Sequence, residues 1–339
     1  MEDVIDQAPV TRPVLAAAAS ATRASAFSAY VRSGATLEMK AFTGVTGDSG
    51  GFAIPTEIDA VIDRTLTSIS PIRGLAQVVK VGSAGYRKLV TTGGTPSGWA
   101  SEIAARPATD TPAFAEIAPP MGELYANPSA SQAMLDDAAF DADAWLAGEI
   151  ATEFARAEGS AFVNGSGVNR PRGFLQAPVA PAGDAGRPFG TLQYLPSGAA
   201  GDFGDDPQER LIDLVQSLRT PYRQGAVFVM NASVLSRIRK FKTSDGAFVW
   251  QASLSAQQPA TLLGYPVIEA EDMPDIAADA PSIAFGNFRL GYLIAERTET
   301  SILRDPYTNK PFTSFYATKR IGGCVSNSEA IKLMRFSAA

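Results

Sequence analysis

The spacing of hydrophobic residues predicts two prominent helices in the first half of the chain. Between 57 and 69, aliphatic residues recur at helical intervals, and Pro71 ends the pattern. The strongest pattern covers 141–161, where apolar residues recur at steps of three and four positions. Asp141 and Asp143 occupy the first turn of this helix, where the helix dipole favours negative charge. The second helix should therefore be a long, well-anchored element.

Short runs of β-branched and aromatic residues alternate with further helical patterns downstream. The predicted helices are 208–219 and 233–242, and the predicted strands are 192–195, 226–231, 262–270, 282–287, 292–294, 300–303 and 312–321. Pro and Asn in DPYTNKP, at 305–311, predict a turn that joins the last two strands into a long hairpin. The mixture indicates an α+β fold.

The segment 81–125 differs from its surroundings because few of its residues could build a core. It has strand-like patches at 86–92 and 113–117. A poorly hydrophobic excursion of this length in a compact domain is usually either disordered or functional. We predict a long two-stranded hairpin. An isolated hairpin is marginally stable in water, so its support should come from another subunit.

The composition excludes most familiar enzyme classes. The chain has 339 residues, 45% hydrophobic and 19% charged, which is an ordinary globular balance. It has no histidine, so the commonest general base and the commonest metal ligand are both missing. A single cysteine, Cys324, leaves no intrachain disulfide and no Cys-rich zinc site, and its sequence setting predicts a small buried residue.

Charge and hydropathy limit the partners that we expect. The net charge of −6 argues against wrapping nucleic acid, because neutralising phosphates needs an excess of Lys and Arg. No apolar stretch approaches the roughly 20 residues that cross a bilayer. Residues 1–10 carry Glu2, Asp3 and Asp6 where a secretory signal would be basic. We therefore expect a cytoplasmic protein without a membrane partner, cofactor or metal.

Two short motifs resemble functional signatures but lack the residues that their chemistry needs. GDSGG, at 47–51, matches the nucleophile motif of trypsin-like proteases, but no histidine is present to accept the serine proton. NGSG, at 164–167, is followed by Arg170 and Arg172 and could in principle cradle an anion. It follows the end of a predicted helix instead of opening one, so a glycine-rich turn is favoured.

Nine ordered sequence blocks are similar to the major capsid protein family with the Hong Kong 97-type fold, closest to siphophage-like prophages and gene transfer agents. The resemblance runs from about residue 41 to the end of the chain. The blocks are GGFAIPTEI (50–58), SPIRGLAQVV (70–79), Gly98-Trp99 with Glu102, LYANPSASQAMLDDAAFDADAWLAGEI (124–150), FVNGSGVNRPRGFL (162–175), VMNASVLSRIRKFKTSDGAFVW (229–250), LLGYPVIEAEDMPDI (262–276), IAFGNFRLGYLI (283–294) and LRDPYTNKPFTSFYATKRIGG (303–323).

The resemblance implies a division of the chain into named parts. These are a scaffolding-like segment at 1–40, an N-arm at 41–56, a peripheral domain at 57–80 and 126–176 with a long spine helix, an E-loop at 81–125, an axial domain at 177–290, a peripheral-domain hairpin at 291–322 and a final axial strand at 323–339. It also implies that a prohead protease removes the first segment, here near Lys40 and Ala41.

Contact residues follow from the same resemblance. The E-loop is expected to lie across the adjacent subunit, with Trp99 as apolar anchor and Glu102 and Arg106 as rim charges. The outer loop has no lysine, so the covalent crosslink that some members form is not expected. The hairpin turn is expected to meet neighbouring rings near threefold positions through Arg304, Asp305, Tyr307, Asn309 and Lys310.

The implied function is structural. Pentamers and hexamers of the chain would tile a closed shell, assembled in the bacterial cytoplasm, that encloses double-stranded DNA without sequence-specific binding. Portal and head-completion proteins would be further partners. Two alternatives are an encapsulin-like compartment, which shares the fold, and a histidine-independent hydrolase that uses Asp and Glu as acid and base.

Overall fold

A computed structural model describes residues 52–53, 70–82, 85–92, 97, 99, 111, 113–131, 142–241, 261–297 and 301–338. Several predictions made above lie outside these residues. They concern the N-terminal segment with Lys40 and Ala41, the GDSGG motif, the helix over 57–69, and Glu102 and Arg106 of the E-loop.

The described residues form six helices and eighteen strands. Helices α1 to α6 are Pro71–Leu75, Ala142–Asn164, Pro207–Ser217, Thr220–Arg223, Ala232–Arg239 and Phe288–Gly291, with short 3-10 turns at Phe174–Gln176 and Asp184–Gly186. Strands β1 to β18 are Phe52–Ala53, Gln77–Val81, Lys88–Thr92, Ala113–Ile117, Met121–Ala126, Ser129–Ser131, Val179–Ala180, Leu192–Pro196, Gly198–Ala199, Asp202–Phe203, Val227–Met230, Thr261–Leu262, Tyr265–Glu269, Ile283–Gly286, Tyr292–Arg297, Ser301–Asp305, Phe312–Val325 and Ile331–Arg335. The predicted α+β class is confirmed.

The chain divides into two compact units. The first unit is Met1–Asp63, Ala126–Ile150 and Glu299–Ala317, and the second is Arg64–Tyr125, Ala151–Thr298 and Thr318–Ala339. In the first unit, β1 pairs antiparallel with β16, and β6 pairs antiparallel with the start of β17. Helix α2 and strand β17 each begin in the first unit and end in the second.

A seven-stranded sheet forms the centre of the second unit. Its strand order is β12-β13-β11-β14-β18-β8-β7, with parallel and antiparallel neighbours mixed. All four residues of β11 are buried, and their side chains alternate between two core clusters. Phe228 and Met230 face the cluster that helices α3 and α5 cover, whereas Val227 and Val229 face the opposite cluster. A strand covered on both faces is expected to be apolar throughout, which explains the run VFVM.

A second set of strands lies in the same unit. Strand β15 pairs parallel with β2 and antiparallel with the end of β17. Tyr292 opens β15 and is fully buried, and its hydroxyl donates to the backbone oxygen of Arg172 at 2.8 Å. Its ring meets Phe162 and Phe174 edge to face, and burial raises the pKa of the phenol well above its usual value.

Cys324 lies opposite Leu293 of β15, near the end of β17. Its thiol is free and buried, as the sequence setting predicted. Burial raises the pKa of this thiol to about 11, although Arg172 and Lys88 oppose the shift. The thiolate form is therefore scarce at neutral pH.

Most predicted helices and strands agree with the structure to within a few residues, but the structure also contains β2, β5 and β6, where no strand was predicted. The strand predicted over 262–270 is a hairpin of β12 and β13, because Leu263 and Gly264 both adopt positive φ and form a two-residue turn. The region 178–207, predicted as loop with one strand, also contains β7, β9 and β10. Pro71 occupies the first turn of α1, where its missing N–H costs nothing.

Gly173 packs closely against the end of α2, so a substitution at this position tests how tightly the second unit is packed. A Cβ on Gly173 would lie 2.3 Å from the carbonyl oxygen of Val163, whereas a Cβ on Gly186 would meet nothing within 4 Å. We expect Gly173→Ala to lower the free energy of unfolding by about 3 kcal/mol and Gly186→Ala to leave it within about 0.5 kcal/mol. Denaturant unfolding of both variants checks this. Equal stabilities would contradict the close approach of loop and helix.

Candidate assembly surfaces

Strands β3 and β4 form a separate two-stranded antiparallel sheet within the predicted E-loop. Val90 lies opposite Ala115, and Lys88 lies opposite Ile117. No further strand joins this sheet among the described residues. Residues directly opposite each other share a face, so the hairpin has two distinct faces. The bounds of the two strands agree closely with the strand patches predicted from the sequence.

The two faces of the hairpin differ in burial. On one face Ile117 is buried and Val90 and Ala115 are half-buried. On the other face Leu89 and Phe114 each remain 69% exposed, at diagonal positions of the sheet. Burying a side chain of this size is worth roughly 1.5–3 kcal/mol. The exposed face therefore offers a considerable driving force for contact with a second molecule.

Polar contacts lie at the root of the hairpin, and one of them involves Glu116, which lies opposite Leu89 on the exposed face. Arg87 Nη1 lies 2.8 Å from Glu116 Oε1, and Lys88 Nζ donates to Gln77 Oε1 of β2 at 3.2 Å. Both contacts are exposed to solvent, where such pairs contribute at most about 1 kcal/mol. They orient the hairpin rather than stabilise it.

Trp99, the predicted apolar anchor of the E-loop, is fully exposed in the single chain. Its predicted rim partners, Glu102 and Arg106, lie outside the described residues. The contact role of all three residues therefore stays a prediction.

The turn between β16 and β17 is organised by one carboxylate. Asp305 Oδ1 accepts hydrogen bonds from the backbone N–H groups of Tyr307, at 2.9 Å, and Thr308, at 3.2 Å, while Oδ2 accepts from the Thr308 hydroxyl. These hydrogen bonds lower the pKa of Asp305 below its usual value, and the bond from the Thr308 hydroxyl has the largest effect. At the other end of the turn, Phe312 N–H donates to the backbone oxygen of Asn309.

The five turn residues predicted as contacts therefore divide into two roles. Asp305 is occupied in shaping the turn, whereas Tyr307, which is 80% exposed, Asn309 and Lys310 project from the protein. Arg304 is half-buried at the end of β16. The sequence contains a signal for the role of Asp305, because an aspartate followed three positions later by a threonine is typical of a side-chain-capped turn.

Open cavities occur in the second unit. Two of them have volumes of about 240 Å³. The first is lined by Asp202, Phe203, Gly204, Asp205, Pro207, Arg237, Lys240 and Phe241. The second is lined by Gly122, Glu123, Leu124, Ala157, Glu158, Ala161, Asn169, Arg170, Pro171 and Ile321. In the first cavity, Arg237 is paired with both carboxylate oxygens of Asp202. Across the part of the chain that the structure describes, no cluster of acidic or cysteine side chains could hold a metal ion. None of the helices described is long and apolar enough to span a membrane.

The fold was compared with known families and structures. A family model described as the phage capsid family matches residues 50–336. The capsid of an empty gene transfer agent particle, computed with C5 symmetry, is 47% identical, has a TM-score of 0.74, and is matched over 79% of this chain and 90% of that chain. The native particle gives 48% identity and a TM-score of 0.73 over the same shares. Comparison with curated proteins finds no match.

More distant structures share the fold alone. A protein of Microbacterium phage Oxtober96 is 14% identical with a TM-score of 0.57, over 78% of this chain and 90% of that chain. The holo-SrpI encapsulin complex from Synechococcus elongatus PCC 7942 is 17% identical with a TM-score of 0.52, over 81% and 90% of the two chains. The sequence identity of both proteins to this chain is far lower than that of the gene transfer agent capsids.

The fold, the unsupported hairpin face and these matches define a structural protein that forms shells. The chain belongs to the phage capsid family. It is a major capsid protein with the Hong Kong 97-type fold, and it is a component of phage or gene transfer agent particles.

Substitutions at Asp305 test whether the shape of the turn at 305–311 matters for assembly. Asp305→Ala removes three hydrogen bonds from an exposed turn, so we expect unchanged subunit folding by circular dichroism but a severalfold lower particle yield. Electron microscopy and sedimentation measure the yield. Asp305→Asn keeps an acceptor oxygen and should give an intermediate yield. Wild-type yield from the alanine variant would show that the shape of the turn does not matter for assembly.

Proposed function

We propose that this chain assembles as pentamers and hexamers into a closed icosahedral-type shell that encloses double-stranded DNA. The observation that carries the proposal is the hairpin face with Leu89 and Phe114 exposed, on a chain 47% identical to a gene transfer agent capsid. Ring assembly buries such faces without leaving an unpaired copy, because each subunit gives one face and receives one.

The contact residues carry specific roles in this proposal. The hairpin lies across the adjacent subunit, with Leu89, Phe114 and Trp99 as apolar contacts and Glu102 and Arg106 at the rim. Exposed apolar residues at the centre of an interface supply most of its binding energy, whereas rim charges contribute to register. The turn residues Arg304, Tyr307, Asn309 and Lys310 meet neighbouring rings near threefold positions, and Asp305 holds the turn in shape. The domain boundaries implied by the family resemblance remain part of this proposal.

The remaining partners follow from the enclosure of DNA. A chain with net charge −6 has no excess of Lys and Arg to bind phosphates, so DNA would be enclosed by the shell without being bound tightly to its wall. Portal and head-completion proteins would close the shell, and a prohead protease would cut near Lys40 and Ala41. Assembly would take place in the bacterial cytoplasm.

An encapsulin-like compartment is the second candidate, since an encapsulin shares the fold at 17% identity. Mass spectrometry of purified particles distinguishes the two, because a DNA-filled head carries packaging partners and a compartment carries one cargo protein. The identity of 47% to a gene transfer agent capsid favours the first. A histidine-independent hydrolase has no observation in its favour and would sediment as a small oligomer rather than as megadalton particles.

Deletion of the outer E-loop tests the assembly role directly. We expect removal of residues 95–112 to leave soluble, folded subunits that make no shells, because the two cores of the central sheet lie elsewhere. Sedimentation and electron microscopy measure whether shells form. Particles of normal size and yield from the deletion would overturn the assignment of this loop.

A point substitution tests the apolar face of the hairpin. Phe114→Asp places a charge where we expect an apolar contact, so the subunit concentration needed for assembly should rise at least about tenfold. Ile212→Asp is the matched control, since Ile212 is 45% exposed on helix α3, outside the hairpin. Light scattering against concentration measures both. An unchanged assembly threshold for Phe114→Asp would count against this face as an interface.

A further inference from the structure

An open cavity lies beside the second half of helix α2. The helix contributes Ala157 and Ala161 to its lining, and strand β5 contributes Leu124. The loop that follows the helix contributes Pro171, and strand β17 contributes Ile321. Because alanine side chains are small, they leave a recess between the helix and its neighbours. We call this recess the α2 cavity.

Charge in the lining of the α2 cavity is confined to a few residues. Glu123 and Arg170 are exposed to solvent, so the opening carries one acidic and one basic residue. Glu158 also belongs to the lining, but its side chain is fully buried and pairs with Arg73. An apolar centre with a polar rim is the arrangement found at protein–protein interfaces.

The walls of the α2 cavity are held in place by backbone contacts. A Cβ on Gly122 of β5 would collide with the backbone oxygen of Asn169, so the strand and the loop are in direct contact. Gly165 N–H donates to the backbone oxygen of Ala161, and Gly173 N–H donates to that of Gly165. The loop is therefore fixed to the end of α2. A cavity that exists before binding needs little ordering when it is filled.

The volume of the α2 cavity limits what it can hold. It measures about 240 Å³, whereas pockets for small-molecule ligands usually measure roughly 300–1,000 Å³. The cavity is also open to solvent on one side. A single large side chain from another molecule therefore fits it better than a free ligand does.

Trp99 has the properties that such an occupant needs. It is the most exposed of the large hydrophobic residues that the structure describes. An indole combines a large apolar surface with one N–H donor, so it suits a pocket with an apolar interior and a polar opening. Because Trp99 lies fully exposed and outside the cavity of its own chain, the cavity that receives it belongs to a second copy.

Charges near Trp99 in the sequence complement the opening of the α2 cavity. Glu102 and Arg106 follow Trp99 closely, so the indole is accompanied by one acidic and one basic residue. Arg170 and Glu123 provide the opposite charges on the receiving side. Exposed pairs of this kind add little binding energy, but they help to fix the register of a contact.

We propose that the α2 cavity of one subunit receives the indole of Trp99 from the adjacent subunit. This inference rests on the proposed shell function, and it identifies the surface that receives the outer E-loop. Each subunit inserts one indole and accepts one, which is the head-to-tail type of contact that closes a ring.

Filling the cavity tests the proposal. Ala157 is exposed on α2, so Ala157→Phe should fold normally, as checked by circular dichroism, and should occupy the space of the indole. We expect the subunit concentration needed for assembly to rise at least about tenfold by light scattering, as it should for Trp99→Ala. Ser160→Phe is the matched control, since Ser160 is exposed on α2 but does not line the cavity.

The double variant Ala157→Phe with Trp99→Ala shows whether the two residues act in one contact. If they do, its assembly threshold should be close to that of either single variant. Effects that multiply, or a wild-type threshold for Ala157→Phe, would overturn the α2 cavity as the receptor, while shells of the wild-type chain would still support the proposed function. A wild-type chain that forms no shells would overturn both.

Chemical crosslinking tests the same contact with the indole in place. Ser97→Cys lies two positions before Trp99, and Arg170→Cys lies at the opening of the cavity. In assembled particles, a short bis-maleimide should link this pair into covalent multimers on a denaturing gel. Ser97→Cys with Ser236→Cys, at an exposed position of α5, is the control and should give only the background of the unsubstituted chain. Equal crosslinking of the two pairs would contradict the proposal.

Discussion

An isolated two-stranded sheet is marginally stable in water, so a hairpin with one uncovered apolar face favours contact with a second molecule, and this constraint connects the structure with its function. In β3 and β4, one face is anchored through Ile117, while Leu89 and Phe114 stay in contact with water. Other strands of the second unit show the opposite situation, since every residue of β11 is buried between two cores. The chain therefore combines a core that is buried on both faces with a hairpin that leaves one of its faces exposed in the single chain.

Polar groups serve different purposes at the two places where they cluster. In the turn between β16 and β17, Asp305 satisfies backbone N–H groups at the surface, and the result is a defined shape for Tyr307 to project from. In the interior of the second unit, Arg73 and Lys319 are removed from water and pair with Glu296, which is far away in the sequence. Surface hydrogen bonds of the first kind specify the shape of a turn, whereas buried charges of the second kind are costly to leave without a partner.

Local signals in the sequence account for the parts of the structure that were predicted correctly. The apolar run 227–230 predicts a buried strand, and the helical spacing after Asp141 predicts α2 to within three residues at its end. The turn at Leu263 was missed because a leucine rarely adopts positive φ. The buried pair of Arg73 and Glu296 could not be predicted, since the two residues are 223 positions apart and a lone charge in a sequence suggests a solvated surface.

Cys324 has a practical consequence for work on the particles. Because the only thiol of the chain is buried and holds its proton up to a pH of about 11, alkylating reagents at neutral pH should leave it unmodified. A cysteine introduced at an exposed position would then be the sole reactive thiol of every copy. Fluorophores or ligands could be displayed in a regular array on the finished container without first removing the native residue.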